Sequence, residues 1–272
     1  CGDSRLRGQR NRKPIGFRLW VVHFWRYYLN TAYKALYEKL GMKNTRHIKL
    51  KKSDDFVGIT ENGRKYYGGD QNWYYWKEDK NKGEIAAYSG CGSVAAANVL
   101  AYLAENHDKY RDLKTYETLQ KSDYLEFMKR IYEYIQPVQI FGKSFGLGSP
   151  YLMKRKLRKF AFAHNINLSV NDTKKFRKFT HPVDFISTAL KQDLPVMMLI
   201  GYNGKNMEVY YEDGHVTRGE FMYHWITITE LIVDDDVEEA IIRCSTWGRS
   251  AYISLKDFMK FEPLCRGLLY IS

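Results

Sequence analysis

Ser89-Gly90-Cys91-Gly92-Ser93-Val94-Ala95-Ala96-Ala97-Asn98-Val99-Leu100-Ala101-Tyr102-Leu103 sets a cysteine between two glycines at the head of an apolar, alanine-rich run. Val94, Ala97, Leu100 and Ala101 recur at helical spacing, so the run predicts a buried helix. Ser93 is placed to cap its start, and the glycines to shape the turn before it. Cys91 then lies at a helix N-terminus, among N–H groups without intrahelical partners and at the positive end of the dipole. A thiol so placed is expected to be more acidic than a free one, and its thiolate is a nucleophile. The same N–H groups can hold a developing oxyanion. A lone cysteine is more often an inert core residue. The paired glycines weigh against that reading here, because a structural cysteine needs no close backbone approach on both sides.

Outward from this stretch, the 272 residues suffice for a real core, and 44% hydrophobic with 15% aromatic residues fits a globular chain rather than a disordered one. Cys1, Cys91, Cys244 and Cys265 are widely spread, with no CxxC pair and no HExxH pattern. Neither a zinc site nor a disulfide scaffold is supported, and no cofactor is expected. The chain opens on Cys1 rather than Met, so a preceding segment is expected, and lipid attachment at Cys1 is one reading of it. The longest uncharged stretch of the N-terminal region, Leu19 to Trp25, falls far short of the roughly 20 residues of a membrane helix. No transmembrane segment is expected, and cytoplasmic and cell-surface locations both stay open.

Charge divides the chain. Residues 1–50 carry 12 Lys/Arg against Asp3 and Glu38, a net +10, whereas the remaining 222 residues carry 31 basic and 29 acidic, a net +2. Residues 1–15 read as a flexible basic tail. Residues 17–40 read as an amphipathic helix ending at Gly41, with Leu19, Val22, Leu29, Tyr33, Leu36 and Leu40 on its apolar stripe. The predicted organisation is a basic N-terminal arm, 1–50, and a body, 51–272. The arm is expected to meet an anionic surface, membrane or nucleic acid, or else to pack on the body.

Within the body, Glu61-Asn62-Gly63 signals a hairpin, and a charged loop is expected up to Glu84. Helices are predicted near 122–135, 150–163 and 182–191. The glycine-rich loop Gly142-Lys143-Ser144-Phe145-Gly146-Leu147-Gly148 lacks the first glycine of a phosphate-binding loop, leaving a substrate-cleft loop or a connector. From 194 onward strands take over, at 194–202, 221–233, 239–244, 251–255 and 267–271, and Asp234-Asp235-Asp236 reads as a solvated hairpin tip. Helices first and an antiparallel sheet second make an α+β fold.

A cysteine nucleophile needs a base, an orienting group and an oxyanion partner. His224 opens the alternating strand His224-Trp225-Ile226-Thr227-Ile228-Thr229 and is the best base. A hairpin would bring Ser245-Thr246-Trp247-Gly248 beside it.

On these residues the chain resembles the papain-like cysteine peptidases, and within them the C39-like branch. Gly90-Cys91-Gly92 matches its GCG-x-x-A-x-A-N helix start. Gln71, with Trp73 and Trp76 after it, matches the upstream glutamine that completes the oxyanion hole. The 133 residues from Cys91 to His224 fit the roughly 130–150 of papain-type enzymes. Ser245 falls where the family carries an Asp or Asn before a Trp-Gly pair. The resemblance spans about Gly69 to Phe258. Val94 stands where papain has its nucleophile, so the match holds in the C39-like register. It implies a papain-like fold whose helical half carries the cysteine and whose antiparallel half carries the histidine. It further implies Cys91 as nucleophile, His224 as general base and acid, Gln71 with the Cys91 amide as oxyanion hole, and Ser245 as a weak, uncharged orienter. The expected activity is hydrolysis of a peptide or amide bond in a peptide or protein substrate through a thioester. An acyltransferase, or a binding module that has lost turnover, are the alternatives.

Overall fold

β-branched and aromatic residues dominate the second half of the chain, and in the computed structural model they assemble into one antiparallel sheet. Residues 33–141, 143–174, 176–260 and 265–272 are described. The strands are β1 (Thr45–Lys49), β2 (Gly58–Glu61), β3 (Arg64–Tyr67), β4 (Gln139–Ile140), β5 (Lys143–Ser144), β6 (Val170–Thr173), β7 (Val196–Ile200), β8 (Glu208–Tyr211), β9 (Val216–Arg218), β10 (His224–Asp234), β11 (Glu239–Thr246), β12 (Arg249–Ser254) and β13 (Gly267–Ile271). Nine of them form a sheet in the order β6-β13-β7-β10-β11-β12-β8-β9, with β1 alongside β10. β2–β3 and β4–β5 are separate hairpins. The helices are α1 (Lys80–Ser89), α2 (Cys91–Asn106), α3 (Lys121–Tyr134), α4 (Pro150–Ala163), α5 (Thr180–Lys191) and the short α6 (Leu255–Met259). The fold is α+β.

β10 is the spine. Its first half pairs with β7, His224 opposite Ile200, and its second half with β1, Asp234 opposite Thr45. β11 follows its other edge, with an irregularity between Ile228 and Glu230. Every β10 residue is buried because both faces of the sheet are covered. Leu231 and Val233 face the main core, while the intervening Ile232 joins Leu36, Met42, Ile241 and Tyr252 in a second cluster. That alternation is the period-two rule of a strand sandwiched between layers.

α2 lies on the spine. Its small residues allow close approach, and the Thr227 hydroxyl reaches the Ala95 carbonyl at 3.5 Å. The predicted apolar stripe widens to the whole helix, since Cys91 through Ala104 are all buried. A helix apolar on every side must be enclosed. α3 shows the one-sided pattern instead, burying Tyr124, Phe127, Met128, Ile131 and Tyr132.

Several expectations need correction. The segment 33–50 is no detachable arm. A helical turn at 33–39 ends before Gly41, whose φ is +68°, and β1 continues into the sheet. The Asp234 carboxylate accepts the Lys43 and Asn44 amides at 2.6 and 3.0 Å, so the boundary at 50 falls inside the body. Asp234, the last residue of β10, is accordingly buried, while Asp235 and Asp236 form the exposed hairpin tip that the sequence predicts. Residues 1–32, with the basic tail and most of the predicted 17–40 helix, lie outside the described residues. The charged loop before Glu84 is the start of α1, capped by Asp79, whose side chain accepts from the Lys82 amide. The hairpin at Asn62-Gly63 is present, and both residues adopt positive φ as a two-residue loop requires.

Candidate active site

α1 ends at Gly90, and α2 starts on the next residue. Ser93 is therefore inside the helix, not its cap, and its hydroxyl donates back to the Gly90 carbonyl at 2.7 Å. Cys91 occupies the first helical position, as the glycine-flanked motif predicts. Backbone N–H groups of Trp225, Gly92 and Cys91 itself point at its sulfur and favour thiolate. Burial opposes them and prevails, so the Cys91 thiol is pushed above its ordinary value. The expected acidic thiol is thus reversed in this closed arrangement, because desolvation of the anion outweighs the donors.

His224 comes from the sheet side. It opens β10 directly after Tyr223, which sits at φ +54°. Its ring stacks on the Trp247 indole, with centroids 4.1 Å apart and planes 16° from parallel, and Phe221 flanks it at 5.5 Å. Only 6% of the residue is exposed. Burial alone lowers its pKa to about 3, so the imidazole is neutral at pH 7. Its Nε2 makes one hydrogen bond, 2.9 Å to the Thr246 hydroxyl, donated by ring or hydroxyl according to tautomer.

Ser245 is not that partner. Its hydroxyl donates to the Tyr67 carbonyl at 2.6 Å and accepts from Asn98 Nδ2 at 3.4 Å. Ser245 stands opposite Thr227, on the α2 face of β11, and neighbours on a strand project to opposite faces. Thr246, one residue on, therefore reaches the imidazole. Ser245 and Asn98 instead hold the segment leading to Gln71. Asn98 Oδ1 accepts from the Gly69 amide and the Tyr124 hydroxyl, both at 2.8 Å.

Gln71 begins a short 3-10 turn, Gln71–Trp73, anchored by Asp70 accepting from the Asn72 amide. Its Nε2 donates to the Ala87 carbonyl at 2.9 Å, and its buried Oε1 has no partner among the described residues. The amide that would serve an oxyanion hole is engaged on α1.

Gln71, Cys91, His224 and Ser245 nonetheless line one cavity, together with Asn98, Thr246 and Trp247. It measures about 10 Å³, room for one water at most. Among the described residues no hydrogen bond joins Cys91 to His224. The loop after β5 is tied down nearby: the Leu147 carbonyl accepts from the Trp225 indole at 2.6 Å, and the Ser144 and Ser89 hydroxyls meet. Trp247 walls the space off from the cleft outside. It lies at φ +45° in the two-residue turn between β11 and β12, a strained backbone for a bulky side chain. Beyond Trp247 opens a cleft of about 590 Å³ walled by Tyr66, Trp73, Asp70, Arg64 and Arg249.

Sequence reasoning brought segment 245–248 beside His224 but gave the orienting contact to Ser245 rather than Thr246, and it assigned no role to Asn98 or Trp247. The signals were available: a buried-type asparagine inside an alanine run, and strand alternation, which lets only one of Ser245 and Thr246 face the histidine. No cluster of metal-ligating side chains occurs among the described residues, and no helix there is long and apolar enough to cross a membrane. No protein-family model matches the chain, and no curated protein matches it either.

Proposed function

We propose that this protein is a cysteine hydrolase of peptide or amide bonds, with a papain-like fold of the C39-like kind, held here in a closed state. One observation carries the reading: Cys91 at a helix head and His224 at a strand start, 133 residues apart, line the same cavity with Gln71. In this reading the cover over the cavity opens and water or substrate rehydrates the pair. The Cys91 proton passes to His224, and the thiolate attacks the carbonyl carbon. The oxyanion is held by backbone N–H groups at the head of α2 and by the Gln71 amide once it leaves Ala87. The amine departs with the proton from His224, leaving a thioester. His224 then takes a proton from water, whose oxygen displaces the sulfur and releases the carboxylic acid. Thr246 keeps the imidazole oriented by a neutral hydrogen bond, in place of the carboxylate or amide of stronger enzymes.

A second reading, a papain-fold binding module without turnover, is favoured by the engaged Gln71 amide and the sealed cavity. A peptide-library screen with the full chain separates them. Hydrolysis that Cys91→Ala and His224→Ala each abolish supports the enzyme. Hydrolysis that survives Cys91→Ala refutes it. A vinyl-sulfone probe that never labels Cys91, with no peptide cleaved, favours the binding module.

A further inference from the structure

The second concentration of positive charge lies on the body. Residues 143–178 hold ten lysines and arginines against Asp172 alone, a net +9, while the rest of 51–272 is a net −7. The positive charge of this part of the chain is therefore concentrated in one stretch, and α4 carries five of its ten cations. Pro150, Met153, Leu157, Phe160 and Ala161 are buried. Tyr151, Arg155, Arg158, Lys159 and Phe162 form the opposite stripe, at i, i+4, i+7, i+8 and i+11, and all are exposed. Among the described residues Lys154 pairs with Asp172, while Arg155, Lys156, Arg158 and Lys159 have no carboxylate partner. Lys159 and Arg155 add to partial burial in lowering the Lys156 pKa, so these cations repel one another. Two bare rings end the stripe, Tyr151 at 63% exposure and Phe162 at 86%.

We infer that the outer face of α4 docks on an anionic lipid bilayer. Unpaired cations match its negative surface, and Tyr151 and Phe162 supply rings at the ends of the same stripe for the headgroup boundary. Eleven residues are close to three full helical turns, so the two rings lie on the same side of α4, about 16 Å apart, and can meet one plane. A single nucleic-acid strand is met by a groove in which rings stack on successive bases. Here the rings bracket the charges on a convex helix flank, which suits a planar partner. This inference is independent of the thiol chemistry.

The test is sedimentation of the full chain with phosphatidylcholine vesicles, with and without phosphatidylserine. Binding should need the anionic lipid. Replacing Arg155, Arg158 and Lys159 together by alanine should weaken it by on the order of 100-fold, about fivefold per charge. Phe162→Ser should weaken it severalfold. Both variants should keep the parent circular dichroism and melting temperature. A control triple of Lys77→Ala, Lys80→Ala and Lys109→Ala removes the same charge from elsewhere and should change little. The difference between the triples isolates α4 from the charges of residues 1–32. Equal weakening by both triples, or no binding to anionic vesicles, overturns the inference. So does tighter binding to a single-stranded oligonucleotide that the α4 triple abolishes, which would make this face a nucleic-acid surface.

Discussion

Trp247 separates two spaces of opposite character. On one side, Cys91 and His224 face a cavity of about 10 Å³; on the other, an aromatic and charged cleft of about 590 Å³ lies open. The side chains that could do chemistry are in the dry space, and the room for a ligand is in the wet one. Burial keeps both members of the pair neutral: it raises the thiol and lowers the imidazole. Charge on this pair is therefore a matter of solvent access, not of residue identity.

The comparison breaks most visibly under acid. A buried neutral histidine binds its proton near pH 3 when folded and at about 6.5 when unfolded. Between those values the unfolded chain binds more protons, so stability rises with pH, is complete above about 6.5 and is lost on acidification. The expected slope from this group is about 1 kcal/mol per pH unit. The raised Cys91 thiol acts in the opposite direction above about pH 9, where only the unfolded chain ionises it. Urea melts across this range should show a plateau from about 6.5 to 9, and His224→Gln should flatten the acid limb. An unchanged acid limb would mean that His224 is solvated.

The orienting contact comes next in size. Thr246→Val leaves a buried imidazole nitrogen without its partner and should cost about 1–3 kcal/mol in chemical denaturation. Thr246→Ser should restore most of it. Ser245→Asn should destabilise rather than improve the protein, because the hydroxyl is packed between Tyr67 and Asn98. If Ser245 variants shift the His224 NMR titration and Thr246 variants do not, the assignment of the partner is reversed.

Removing the partition should sharpen the contrast. Trp247→Ala joins the two spaces and hydrates the pair, and each unit of thiol pKa recovered raises the thiolate fraction about tenfold at neutral pH. Iodoacetamide labelling of Cys91 should accelerate by at least about that factor. No acceleration would mean that Trp247 is not the barrier. The smallest effect concerns order. Cys265 is exposed while Cys91 and Cys244 are buried, so among these three Cys265 should be alkylated first in the parent protein and Cys91 should gain on it in Trp247→Ala.

The helices at 121–134, 150–163 and 180–191, the Asn62-Gly63 hairpin and the strands β7, β10, β11, β12 and β13 were legible because each rests on local periodicity or turn chemistry. β1, β6 and the β8–β9 hairpin were not. They are short, and β1 takes its place from pairing with a strand about 185 residues later. The concentration of charge in residues 143–178 was also open to reading, yet an average over 222 residues concealed it.

By itself the sequence determined an α+β chain with Cys91 at the head of a buried helix and His224 at the start of a strand. Gly-Cys-Gly before an alanine run, and alternation after a histidine, act over a few residues. Tertiary structure alone decided that Thr246 rather than Ser245 meets the imidazole, that Gln71 turns its amide to α1, and that segment 33–50 belongs to the body. It also decided that the pair is dry and neutral. Those outcomes depend on register, facing and solvent exclusion, which arise only when distant segments pack together.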